Sequence, residues 1–205
     1  MDRRREIKIG MKTMMLDKIK EKALDEHIPI IMDDTLEVIG KYLEKEKPKR
    51  ILEIGTAVGY SAICFSKYLA EDGMIDTIER DEERIAEAKE NIKEMKLDSK
   101  INIYEGDAVE ILPTLNNKYD AIFIDAAKGK YTFFLEQALR MLDEKGIIFA
   151  DNILYKGYVL SDYNKHKQRT AVRNLREYIK QTTENIELET QILEVGDGLA
   201  ITQKK

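Results

Sequence analysis

Cysteine is almost absent from this chain: Cys64 stands alone in an apolar stretch. A lone thiol forms no internal disulfide, and a chain built without one suits a reducing cytoplasm. No apolar run approaches the length needed to cross a bilayer, so a membrane partner is not expected. The charged start, MDRRRE, is followed by no apolar core and does not read as a signal peptide. Internal repeats, low-complexity tracts and linkers rich in Pro, Gly or Ser are missing too. So is an excess of positive charge: the formal net charge is −5. That excludes a surface coated in cations, although a local basic face can still act inside an acidic total.

What is present is the composition of a folded globule, with 43% apolar and 36% charged residues. The 205 residues suffice for one α/β domain with a full core and are few for two. One domain over 1–205 is expected, with a helical N-terminal part (1–47) on an α/β core (48–205). In the first part Met11, Met14, Met15 and Ile19 recur at helical spacing. The break His27-Ile28-Pro29 is followed by a second helix near Asp33–Glu46, with Leu36, Ile39, Gly40 and Leu43 on one face.

From residue 50 strands and helices alternate. Strands are expected at 51–54, 74–78, 101–105, 121–124 and 147–150, and helices at 61–69, 81–95 (N-cap Asp81), 108–115, 131–142 and 165–182. Residues 186–195 and 199–202 flank the turn Gly196-Asp197-Gly198 as a closing hairpin. This pattern predicts a doubly wound sandwich around a mixed sheet with one antiparallel strand at its end.

Candidate chemistry gathers at the ends of the strands. Glu53-x-Gly55-x-x-x-Gly59 departs from the dinucleotide fingerprint because Ala57 holds the middle position, where a side chain hinders a pyrophosphate. A cofactor without phosphates fits better, and this form of the turn is associated with S-adenosylmethionine. Taken alone it is equally well a plain βα turn. Glu79, after the second strand, can accept from both ribose hydroxyls; otherwise it is one more member of a charge run. Gly106-Asp107-Ala108 offers a carboxylate to an exocyclic amine and space for a purine ring. Three successive strand ends with suitable groups carry more weight than any one.

Asp125, Asp151 and Asn152 follow the fourth and fifth strands. Two carboxylates and an amide suit Mg²⁺, or Mn²⁺ in its place, and the lack of nearby Cys or His disfavours softer metals. Any one such Asp is more often a helix cap. Lys128, three residues after Asp125, is placed to take a proton from a hydroxyl beside a dication; the bland alternative is a surface lysine.

The segments ILEIGTAVGYSA (51–62), ERD (79–81), GDA (106–108), YDAIFIDAAKGKY (119–131), DNILYKGYV (151–159) and GDGLAI (196–201) together resemble the cation-dependent O-methyltransferases, the catechol and caffeoyl-coenzyme A group. The nearest likeness is to the bacterial branch that methylates 5-hydroxyuridine at the tRNA wobble position. The resemblance implies a Rossmann-like class I methyltransferase sandwich with a mixed seven-stranded sheet, its C-terminal strand antiparallel, and a helical N-terminal extension. It implies a cofactor held by Ile31, Gly55, Ser61, Glu79, Asp107, Ala108 and Asp125. It also implies Mg²⁺ on Asp125, Asp151 and Asn152, Lys128 as the catalytic group, and a homodimer. The extended insertion that plant members use for large thioesters has no counterpart here.

Chelation by a metal favours acceptors with two neighbouring oxygens, which both catechols and 5-hydroxyuridine present. On the helix from Lys165, Arg169, Arg173 and Arg176 recur at spacings of four and three, close after Lys156, Tyr155 and Tyr158. That stripe could take phosphates of a tRNA anticodon region, while the tyrosines flank an unstacked base. As an isolated pattern it is an ordinary solvated helix face. Three possibilities stand: a tRNA O-methyltransferase, a small-molecule catechol-type O-methyltransferase, and a non-catalytic S-adenosylmethionine-binding module, for which the metal trio and Lys128 would have no use.

Overall fold

Strand β1 (Arg50–Ile54) is buried on both faces, and its side chains divide the molecule. Ile51 points into one apolar layer, and Leu52 and Ile54 into the other. The same alternation continues across the sheet, as expected where helices cover both faces of parallel strands. The computed structural model describes residues 3–162 and 168–205, with side chains from residue 10 onward.

Along the chain come α1 (Arg3–Asp25), α2 (Asp33–Glu46), β1, α3 (Tyr60–Ser66), β2 (Met74–Glu79), α4 (Glu82–Glu94), β3 (Ile101–Glu105) and α5 (Ala108–Ile111). They are followed by β4 (Tyr119–Ile124), α6 (Tyr131–Met141), β5 (Leu142–Ala150), α7 (Arg169–Thr183), β6 (Leu188–Leu193) and β7 (Leu199–Lys204). The seven strands lie in the order β3-β2-β1-β4-β5-β7-β6. β1 to β5 are parallel, and β7 is antiparallel to both its neighbours, so the mixed sheet expected from the sequence is present. The antiparallel strand is inserted one place in from the edge, which β6 occupies.

Local chemistry explains several boundaries. Asp81 caps α4, accepting from the backbone N–H groups of Glu83 and Arg84 at 3.1 Å each. α2 ends on Lys47 in a left-handed conformation, ahead of Pro48. The helix expected at 108–115 is shorter, because Pro113 tightens Leu112–Thr114 into a 3₁₀ turn. The helix expected at 61–69 stops at Ser66.

Of the methionine pattern in α1, Ile19 is buried, whereas Met11 and Met14 are exposed. The spacing was right for a helix, but only part of that stripe meets the sheet-facing layer. The expected start of the α7 helix, including Lys165, falls within 163–167, outside the described residues.

Register decides what the sheet presents. Ile54 pairs with Ile124 and Ile124 with Ala150, so Gly55, Asp125 and Asp151 follow three strands at one level. Backbone bonds continue one step past the ladder, from Asp125 N–H to Ile54 O and from Asp151 N–H to Ile124 O, both 3.0 Å. The order reverses between β1 and β4, the switch point where doubly wound sheets bind ligands beyond their carboxyl ends.

Candidate active site

A cleft of about 320 Å³ opens above that switch point. Ile31, Gly55, Ser61, Glu79, Asp107, Ala108, Asp125, Lys128 and Asn152 all line it. Pro29, Ile30, Thr56, Ala57, Tyr60, Ile78, Arg80, Gly106, Ala126, Ala127 and Phe134 complete the walls. Asp151 lies beneath the lining, at 1% exposure.

The glycine turn works by close approach. Gly55 has φ +106, and a Cβ there would collide with the backbone oxygen of Asp125. A side chain would therefore force β1 and β4 apart at the floor of the cleft. Ala57 follows in a left-handed conformation (φ +45), its N–H bonded to Glu79 Oε2 at 2.9 Å. Glu79 Oε1 accepts from the N–H groups of Arg80 and Asp81 at 2.8 and 3.1 Å. The carboxylate is thus fixed in place, with lone pairs left over for a ligand.

Asp107 caps α5 through Val109 N–H at 2.8 Å and also accepts from Arg80 Nη1 at 3.2 Å. Helix capping is therefore realised at Asp107 alongside its place in the cleft wall. Arg80 was not singled out from the sequence, though its position directly after Glu79 was the available signal.

Below the turn lies a second group, built on Glu53, which the sequence showed only as the first residue of the glycine-turn pattern. Glu53 is fully buried and accepts from Ser61 Oγ and Thr77 Oγ1, both at 2.5 Å. Burial pushes its carboxyl up to about 7, the two hydroxyls pull it down, and the charges of Asp125 and Glu79 push it up again. Ser61, expected at the cofactor, donates its hydroxyl hydrogen inward to Glu53 and leaves its oxygen lone pairs toward the cleft.

The ends of β4 and β5 concentrate acid. Burial, then the neighbouring charge of Asp125, pushes Asp151 up to about 7; bonds to Asn152 and the charge of Lys128 oppose this. Lys128 Nζ sits 3.0 Å from Asp125 Oδ1 and 5.9 Å from the centre of the Tyr131 ring. The buried Tyr131 hydroxyl donates to Asp151 O at 2.7 Å and lies 3.3 Å from Ile124 O, which ties the two strand ends together. Among the described residues no group of three or more His, Cys, Asp and Glu is placed to hold an ion. Two carboxylates and the amide of Asn152 are the oxygen donors available, a set that suits a hard cation retaining water or acceptor oxygens. Repulsion between the half-buried Asp125 and the buried Asp151 is what such a cation would relieve.

The basic stripe is only partly as expected. Arg169 and Arg173 are exposed on the first turns of α7 and take part in no ion pair among the described residues. Arg176 is not free: its guanidinium donates to the carbonyls of Tyr158, Val159 and Ser161, pinning the irregular segment before α7. Those carbonyls lie outside regular structure, and a planar five-donor group satisfies several at once. Lys156 is exposed with a left-handed backbone (φ +56). Tyr155 and Tyr158 meet edge to face, with centroids 5.8 Å apart, and so pack on each other.

A doubly wound sheet with a glycine turn, an acid at the end of the second strand and a cleft at the switch point is the arrangement in which α/β proteins bind nucleotide-type cofactors. The O-methyltransferase family matches residues 10–205. A catechol O-methyltransferase of Niastella koreensis is 36% identical over 175 residues, covering 79% of this chain and 78% of that protein. Tapetum-specific methyltransferase 1 of Arabidopsis thaliana is 33% identical over 162 residues, covering 76% and 70%. A Staphylococcus aureus structure, provisionally named a caffeoyl-CoA O-methyltransferase, covers 100% of both chains with a TM-score of 0.86 at 32% identity. The chain belongs to the O-methyltransferase family, and its activity class is S-adenosylmethionine-dependent O-methylation.

Proposed function

We propose that this protein transfers the methyl group of S-adenosylmethionine to the 5-hydroxyl of 5-hydroxyuridine in tRNA, at the wobble position, in a Mg²⁺-dependent reaction. The observation that carries the RNA assignment is the pair Arg169 and Arg173. They stand exposed and without ion-pair partners among the described residues, in a chain of net charge −5. The same helix turns pack against Lys128–Lys130: Thr170 is the neighbour of Gly129, and Thr132 donates to Asn174 at 2.9 Å. The helix that carries Arg169 and Arg173 thus packs beside the segment that holds the cleft-lining Lys128, although neither arginine lines the cleft itself. Phosphates of a polymer reaching the cleft would pass that helix, and phosphate contacts supply most nucleic-acid affinity.

In this reading Ile31, Gly55, Ser61, Glu79, Asp107, Ala108 and Asp125 hold the cofactor, and Asp125, Asp151 and Asn152 hold the cation. When bound, the cation supplies charge that orients two neighbouring acceptor oxygens and favours loss of the hydroxyl proton. Lys128 stands beside that place and, once it has given up its own ammonium proton to solvent, takes the hydroxyl proton. Phe134 gives the cleft a buried apolar wall.

A second reading, methylation of a small catechol-like molecule, is favoured by the Niastella koreensis relative and requires no basic border. Arg169→Glu with Arg173→Glu separates the two. Methylation of hydroxyuridine-containing tRNA should fall about tenfold or more, with a flatter salt dependence, while any activity on 3,4-dihydroxybenzoate stays. Mass spectrometry of tRNA nucleosides from a strain lacking the protein should show 5-methoxyuridine lost. Unchanged nucleosides would favour the catechol reading.

A further inference from the structure

The turn Gly196-Asp197-Gly198, between β6 and β7, has no part in the chemistry proposed above, yet both sides of the cleft are tied to it. On one side it receives the loop that follows β5. Ile153 N–H donates to Gly198 O and Leu154 N–H to Asp197 O, both at 3.0 Å, and Lys156 N–H donates to Asp197 Oδ1 at 2.6 Å. On the other side Gly196 N–H donates to Asp34 Oδ2 at 2.9 Å, at the start of α2. That helix begins directly after Pro29, Ile30 and Ile31 in the cleft wall. Gly196 (φ +56) and Gly198 (φ +89) admit no side chain: a Cβ on the first would collide with Thr35 Oγ1, and on the second with Leu154 Cγ.

The loop so held is an unusual one. Tyr155, Lys156 and Gly157 all have left-handed backbones, with φ of +44, +56 and +73. Asn152 also has φ +56, and its carbonyl accepts from Tyr155 N–H at 3.2 Å. Consecutive non-glycine residues in this region persist only where their surroundings over-determine them. The bond from Lys156 N–H to the Asp197 carboxylate falls in the middle of the run. No other side chain described here anchors that amide.

We infer that Asp197 is a positioning residue: its carboxylate holds the left-handed 155–157 turn and so fixes Asn152 and the loop at the acceptor end of the cleft. The inference rests on the O-methyltransferase reading of that cleft and on neither choice of acceptor. Asp197 touches no reacting atom in this scheme; it acts through the backbone of Lys156.

The test compares Asp197→Ala with Asp197→Asn, whose amide oxygen can accept the same bond. Three properties are read in the full chain: amide hydrogen exchange over 152–158, calorimetric affinity for S-adenosylhomocysteine, and kcat and KM for whichever of hydroxyuridine-tRNA or 3,4-dihydroxybenzoate the wild type methylates. Asp197→Ala should speed exchange at Lys156 and its neighbours about tenfold or more. It should lower kcat about 10- to 100-fold, the scale for an ångström of misplacement, with cofactor-product affinity held within about twofold. Asp197→Asn should recover both losses. Unchanged exchange in Asp197→Ala, equal losses in both variants, or a loss of S-adenosylhomocysteine affinity matching the loss of kcat would each overturn the assignment and leave the turn a packing element. If the wild type methylates neither acceptor, the substrate proposal fails. Exchange and calorimetry then decide the role of Asp197 by themselves.

Discussion

The ends of β1–β3 and the ends of β4–β5 face the same cleft but are built differently. At β1–β3 the polar groups are tied mostly to their own turn backbone, Glu79 to Arg80 and Asp81 and Asp107 to Val109, with one longer bond from Ala57 in the glycine turn to Glu79. At β4–β5 the acids are crowded, and the strand ends and loop that carry them are held by distant groups. Asp151 is buried beside the charge of Asp125; Tyr131 bridges the strands; Arg176 and Asp197 restrain the loop from elements far along the chain. One half is preorganised by local turns, and the other depends on tertiary contacts and on an added positive charge.

The largest expected effect strikes the second half. Asn152→Ala, or exhaustive chelation, should abolish turnover. Lys128→Met should lower kcat about 10²- to 10⁴-fold, the usual contribution of a positioned acid–base group. S-adenosylhomocysteine affinity should change little in either variant. If chelated enzyme turns over fully, or Lys128→Met matches wild type across neutral pH, the contrast between the halves loses its chemical basis.

A smaller effect belongs to the first half. Glu79→Ala should weaken S-adenosylmethionine binding by about 1–3 kcal/mol, the scale for a hydrogen bond to a charged group. Calorimetry with unchanged affinity would show that Glu79 serves only the turn it caps.

The smallest effect is on stability and lies beneath the boundary between the halves. The Glu53 carboxyl stands at about 7 against an ordinary 4.5, so the folded protein holds its proton more tightly than the unfolded chain does. The stability this confers is full below about pH 4.5 and is lost as pH rises through about 7. Glu53→Gln should remove a slope of about 1–2 kcal/mol between pH 5.5 and 7. Urea midpoints measured across that range check it; parallel curves for the two proteins would contradict the shift.

Much of this molecule was set by short-range pattern. Apolar runs such as Ile51–Ile54 and Ala121–Ile124, Asp81 at a helix start and the glycine turn each express a preference contained within a few residues, so the strand order of the chemistry was legible. Nine of the proposed site residues lie on one cleft, and all of them but Ile31 and Ser61 do so because parallel strands in register carry the residues at their ends to one edge. The helical spacing of Arg169, Arg173 and Arg176 was equally readable, but spacing does not say what a guanidinium meets. Only the packed loop assigned Arg176 to the carbonyls of Tyr158, Val159 and Ser161.

The same holds for Glu53, whose letter is that of any acid until Ser61 and Thr77 close over it and water is gone. It holds for Asp197, joined to Lys156 across 41 positions of sequence. Sequence by itself determined the strands, the turns and the edge at which the functional groups collect, because these follow from local backbone preference and a period-two pattern. Tertiary structure decided which charges are buried, paired or left facing solvent, because desolvation and long-range hydrogen bonds exist only once distant segments have met.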